Sequence, residues 1–203
     1  MSFVKKYLAL YGFILLALSG CAKRNLYPDT DDPGLSRFTS HGYNIATAYI
    51  NGDAYINPFL GSLRGNALPS IGKLSTAAPL DSLMISWQLE LNTDLTPPPL
   101  SPYQNIVLML PVSKSFTAGD FLLWNGQRFS LDSNAVVLNS FSDPLNRRTG
   151  PANIYFVKID IDNSNTSSPA YQISGLFDGK IGDSITITKG RFDFRIPTSN
   201  LNF

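Results

Sequence analysis

From Tyr43 to the end of the chain, apolar positions recur with a period of two. In Ser82 to Leu91 (SLMISWQLEL), Leu83, Ile85, Trp87, Leu89 and Leu91 alternate with Met84, Ser86, Gln88 and Glu90, which puts five apolar side chains on one face of a strand and Glu90 on the solvent side. The same spacing predicts strands over Tyr43 to Ile50, Ala54 to Ile56, Asn105 to Val112, Gln127 to Leu131, Ala135 to Leu138, Ala152 to Ile161, Tyr171 to Phe177 and Ser184 to Ile196. Asn51-Gly52 between the first two favours the positive φ angles of a tight hairpin. In Ala152 to Ile161 the predicted inner face is Tyr155, Val157, Ile159 and Ile161. Along the last strand the apolar phase slips by one, from Ile185 and Ile187 to Phe192, Phe194 and Ile196, which predicts a β-bulge at Lys189-Gly190. A ligand approaching bare backbone there is the functional alternative.

The connections Leu60 to Leu80 and Asn92 to Gln104 carry the prolines. The triple proline in the second reads as a stiff crossover rather than a polyproline recognition site. After Cys21 no window holds a helical stripe. These elements predict an all-β protein, an antiparallel β-sandwich with a β-barrel of similar strand count as the alternative, formed by one domain over residues 41–203.

The N-terminus follows a different pattern. Lys5 and Lys6 precede an apolar run from Tyr7 to Leu18, then Ser19 and Gly20, so residues 1–20 read as a signal peptide. Twelve apolar residues fall short of the roughly 20 that cross a bilayer as a helix. Leu18-Ser19-Gly20-Cys21 resembles the bacterial lipoprotein box. That resemblance implies a diacylglycerol on the Cys21 sulfur, cleavage before Cys21 and acylation of the freed amine. Two or more acyl chains hold a protein lastingly, whereas one does so only marginally. Residues 21–40 then read as a lipidated N-terminus and flexible tether, with two prolines, a glycine and no period. Asp29, Asp31 and Asp32 look like part of a calcium loop, but Pro33 interrupts the ligand spacing and no distal glutamate follows, so a solvated linker is expected.

Two further stretches carry a second resemblance. Ala48-Tyr49-Ile50-Asn51-Gly52 runs a strand into a turn. The end of the chain has Ser174-Gly175-Leu176-Phe177 followed by Ile187-Thr188-Lys189-Gly190-Arg191-Phe192-Asp193-Phe194. Together these are similar to small Bacteroidetes-type lipoproteins of unknown function, whose mature domains open with such a turn and close with a hairpin of the type SGxF…ITxGxFDF. The resemblance implies a fold type and a cell-envelope location, and no activity; an outer-membrane anchor is expected. The basic Ala22-Lys23-Arg24-Asn25 after the cysteine favours the periplasmic face over the cell surface.

Charge and composition narrow the chemistry. The 203 residues hold 16 basic and 15 acidic side chains, and losing Lys5 and Lys6 leaves 14 against 15. A net charge of minus one gives no field for nucleic acid, so no nucleic-acid partner is expected. One Cys and one His cannot build a zinc cage or a disulfide, and no metal or cofactor is expected. His41 is the one possible base for a Ser-His-Asp arrangement, and no Gly-x-Ser-x-Gly elbow accompanies it. Fourteen aspartates and Glu90 leave glycosidase chemistry without a distinguishable pair. Asp160 to Asn165 has the oxygen-rich look of a cation loop but lacks glycine at its sixth position and an acid at its twelfth, so a polar hairpin tip is expected.

The candidate site residues are therefore few. Tyr103 and Trp124 are candidate ligand-contact aromatics, because loop aromatics stack on sugars or anchor partners. Ser82 and Ser184 sit in Asp-Ser-apolar triplets that resemble Bacteroidetes O-glycosylation sites, and Cys21 is the lipidation site. The expected function is a lipid-anchored cell-envelope β-domain with a non-catalytic binding or structural role. Its partners would be the membrane, through the anchor, and a glycan or envelope protein. A fimbria-like subunit assembling by strand addition is the alternative, and a glycoside-hydrolase-type enzyme trails both.

Overall fold

Strand β4 (Asp81–Leu91) is built as its alternation requires. Leu83, Ile85, Trp87, Leu89 and Leu91 are buried, and β4 pairs along ten residues with β5 (Tyr103–Val112), setting Leu83 against Leu110 and Trp87 against Ile106. A computed structural model of the chain describes residues 29–57, 69–92, 103–140, 143–164 and 169–202. Cys21, the signal peptide and the triple proline lie outside them.

The remaining strands are β1 (Ile45–Ile50), β2 (Asp53–Ile56), β3 (Ser70–Leu74), β6 (Arg128–Ser140), β7 (Asp143–Asp162), β8 (Ala170–Ile181), β9 (Ile185–Pro197) and β10 (Leu201–Asn202). They form one sheet ordered β10-β3-β4-β2-β1-β9-β8-β7-β6-β5, and the β4–β5 pairing closes it into a ring. All pairings are antiparallel except the two-residue contact of β10 with β3. The all-β expectation holds, and the ring-like sheet lies within the sandwich-or-barrel alternatives.

Aromatic rings cross the interior of this ring. Trp87 of β4 meets Phe177 of β8 at 5.3 Å and Phe192 and Phe194 of β9 at 5.6 and 5.4 Å between centroids. These offset and edge-on geometries suit ring quadrupoles, and they tie opposite sides of the sheet together.

Three expectations about register need correction or refinement. The bulge at Lys189-Gly190 is present, since Ala48 of β1 faces both residues. Lys189 rather than Gly190 takes the left-handed conformation, with φ of 50°. Gly190 is required for a different reason, because a Cβ there would lie 2.4–2.6 Å from the Phe177 ring. The neighbour of that bare backbone is thus a side chain of the protein.

In β7 the buried set is Ala152, Ile154, Phe156 and then Ile159, with Tyr155 turned outward. The predicted face failed because a bulge between Phe156 and Lys158 swaps the phase, which period-two counting cannot see. Glu90, expected in solvent, is only 9% exposed, being at the end of β4 where β2 and β5 both pair with it.

Two strands and a helix were not predicted. β3 lies in the stretch Leu60 to Leu80 read as a connection, and β10 and α1 (Ala118–Leu122) lie in stretches given no element. The helix is one turn long, too short for a stripe, and is fixed by a capping box between Thr117 and Asp120, whose hydrogen bonds from Thr117 lower the Asp120 carboxyl. β1 begins at Ile45 rather than Tyr43, because Gly42 and Asn44 adopt positive φ of 74° and 57°. Asn51 and Gly52 adopt φ of 54° and 88°, the hairpin geometry their sequence favours.

Candidate functional site

The residues that alternate with the β9 core side chains are charged, and they hold the segment that precedes β1. Asp193 is 2% exposed, and its carboxylate accepts hydrogen bonds from Thr39 Oγ1 at 2.5 Å and from the backbone N–H groups of His41, Gly42 and Tyr43 at 3.1, 2.7 and 3.2 Å. A buried carboxylate is tolerated where several donors converge on it, and here they belong to one turn of chain. Arg191 donates to Asp29, Asp32 and, at 2.9 Å, to the carbonyl of Ser36, while Lys189 pairs with Asp32. Tyr49 Oη donates to Pro33 O at 2.8 Å, and Leu35 is fully buried beneath the loop.

Residues 29–40, expected to be solvated tether, are therefore clasped to the sheet. Their aspartates answer cations 157–162 residues downstream, which is why local composition misread them. Hydrogen bonds from the Asp31 backbone and from Arg191 hold the Asp29 carboxyl below its usual range, and the Asp32 partner raises the Lys189 ammonium.

Beside this clasp a groove of about 820 Å³ crosses the outer face of β6, β7, β8 and β9. Two cross-strand rows form its floor. In the first, Arg128, Tyr155, Leu176 and Arg191 are successive register partners, and the Arg128 guanidinium lies 4.3 Å from the centre of the Tyr155 ring. In the second, Ser130 Oγ donates to Asn153 Oδ1 at 2.8 Å and Asn153 Nδ2 to Asp178 Oδ1 at 2.9 Å. Asp178 faces the bulge containing Lys189. Asp32 and Lys189 of the clasp form one wall, so the docked segment completes the groove. A second hollow of about 550 Å³ continues it past Asp132 and Lys180.

The structure does not bring the sequence candidates together. Trp124 is half-buried, with its ring among Phe116, Phe121, Phe129 and Phe156 at 4.7–5.8 Å. It is a packing residue of the turn after α1, whose Asn125 Oδ1 accepts from Ile159 N beside the β7 bulge. Tyr103 starts β5, whose ten residues, roughly 30 Å, separate it from that turn. Ser82 follows a buried Asp81 that accepts from Thr76 N, whereas Ser184 is exposed in the β8–β9 turn. His41 is exposed and stacked on Tyr43 with centroids 5.5 Å apart.

Asp162 closes the tip read as a cation loop by accepting from Ser164 N and pairing with Arg195, and hydrogen bonds from the Ser164 side chain and backbone and from Arg195 bring its carboxyl down to about 2. Among the described residues no cluster of three His, Cys, Asp or Glu side chains could hold a metal, and no helix is long and apolar enough to cross a membrane.

The groove residues were missed because none stands out in its own strand. The one local signal was the Arg128-x-Ser130 and Asn153-x-Tyr155 polar alternation, which acquires meaning only once the registers are known. No family model, no curated protein and no solved structure matches the chain.

Proposed function

We propose that the protein is a lipid-anchored β-domain of the bacterial cell envelope that binds a partner without transforming it. It is anchored through Cys21 in the outer membrane, on the periplasmic side. The observation that carries the binding role is the groove. Four strands present hydroxyl, amide, carboxylate, guanidinium and aromatic groups already ordered by hydrogen bonds and stacking, the pre-organisation that lowers the cost of holding a ligand.

The lipoprotein box supports the anchor, and the clasp gives it a mechanical consequence. From Asp29 onward the chain is held to β9, so the eight residue-to-residue steps from Cys21 to Asp29 reach at most ~28 Å. The domain would ride close to the bilayer with the clasped wall of its groove next to the anchor. Mass spectrometry of the mature protein tests the anchor. The expected N-terminus is a triacylated Cys21, and Cys21→Ser should lose both acylation and the membrane fraction. An intact leader with a free thiol overturns the reading.

The alternative of assembly by strand addition draws on the short β10, which covers only Ile71 and Gly72 of β3. SDS-resistant ladders would favour it, and a strictly monomeric protein would exclude it.

A further inference from the structure

We infer that the outer groove over β6–β9 is a binding site for a neutral oligosaccharide, an assignment that rests on the binding role proposed above. The groove lies on a sheet face, not an edge. Across the groove β7, β8 and β9 are laddered on both sides, and β6 pairs there with β7 and meets β5 only from Val136 on, so an extended peptide lying along the groove floor would find no row of free N–H and C=O groups and could pair only at the β6 rim. Recognition must come from side chains, and those present both donate and accept: the Ser130 hydroxyl, the Asn153 amide and the Asp178 carboxylate form a chain in which each member is oriented by the next. A ligand rich in hydroxyls, each able to do both, is the chemical match.

Charge excludes the main competitor. Lys189 and Arg191 are already paired to Asp32 and Asp29, and Asp178 offsets Arg128, so no unbalanced positive field remains to draw a polyanion. Arg128 stacked on Tyr155, with Leu176 as the next register partner, supplies a planar and apolar patch. The C–H face of a sugar ring can lie on it while its hydroxyls reach the polar row one register step away. Four strands span roughly 14 Å, room for a short oligosaccharide rather than a single sugar.

The test uses the full-length protein in detergent against immobilised neutral glucans, mannans and galactans, with hyaluronate and a polylysine–polyglutamate peptide pair as charged probes. Binding to at least one neutral glycan is expected. Tyr155→Ala and Asp178→Ala should each weaken it about tenfold or more, while Tyr103→Ala leaves it unchanged. Both groove positions are solvent-facing, and unchanged thermal unfolding of the variants separates lost contact from lost fold. Binding that is indifferent to both substitutions, binding of charged probes alone, or no glycan binding overturns the inference and leaves the lipid anchor standing. Cleavage of a bound glycan, lost with the groove variants, would keep the site and overturn the non-catalytic reading instead.

Discussion

Along β9, Phe192, Phe194 and Ile196 point into the ring while Arg191, Asp193 and Arg195 point out, and the two sets hold different things together. The inner set binds opposite sides of one sheet: Phe192 alone has ring contacts with Trp87, Phe156, Phe177 and Phe194. The outer set binds the sheet to chain that is distant in sequence, through Asp193 to residues 39–43 and through Arg191 to residues 29–36. One face therefore secures the fold and the other secures what is attached to it. The two should fail differently.

Phe192→Ala breaks the inner set and has the largest expected effect. A buried phenylalanine reduced to alanine costs about 3–5 kcal/mol, and this ring is 1% exposed at the centre of the aromatic cluster. Urea denaturation should show a cooperative transition shifted to much lower midpoint, because every strand shares this core. A loss below about 1 kcal/mol would mean that the rings do not carry the fold.

Asp193→Ala should cost less, about 2–3 kcal/mol, as a charge-assisted group that satisfies three amides and a hydroxyl is lost but the freed turn can reach water. The effect should be local. Hydrogen exchange at the amides of residues 41–43 should rise sharply while those of β8 keep their protection. Uniform loss of protection across both regions would show that the clasp and the core are one cooperative unit.

The same contrast explains what could be read in the sequence. Inner faces were legible wherever a strand keeps one phase, as in β4, because burial imposes the period directly. They were misread where a bulge changes phase, as at Val157 in β7, although the glycine and slipped aromatics of β9 gave the Lys189 bulge away. The outer face was opaque. Asp29, Asp32, Lys189 and Arg191 form a clasp only because the topology places β9 beside β1, and Arg128, Tyr155 and Asp178 share a groove only through the registers of two pairings. Aromatic content pointed to Trp124, which proves to be packing, because a turn tryptophan beside three apolar residues of α1 looks exposed until Phe121 is seen to draw it inward.

The smallest effect is the pH response of the outer set. Asp29 and Asp162 both have folded-state carboxyls below their unfolded values, so each adds stability that is complete above about pH 4 and is lost as pH falls through the folded value, about 2 for Asp162. Lys189 is shifted the other way. Its contribution is complete below about pH 10 and is lost only at higher pH. The clasp should therefore be insensitive between those limits and loosen on both sides. Comparing Asp29→Asn with wild type, the thermal midpoints should differ at neutral pH and converge as pH drops below about 4, since the wild-type carboxylate is then losing the charge that the variant lacks throughout. Asp162→Asn should converge only nearer pH 2. Parallel curves for Asp29→Asn and wild type as the pH falls would show that the Asp29 carboxylate gains nothing from the Asp31 backbone or from Arg191, and that the segment before β1 is held by its other contacts, those of Asp32, Asp193, Ser36 and Pro33 and the burial of Leu35.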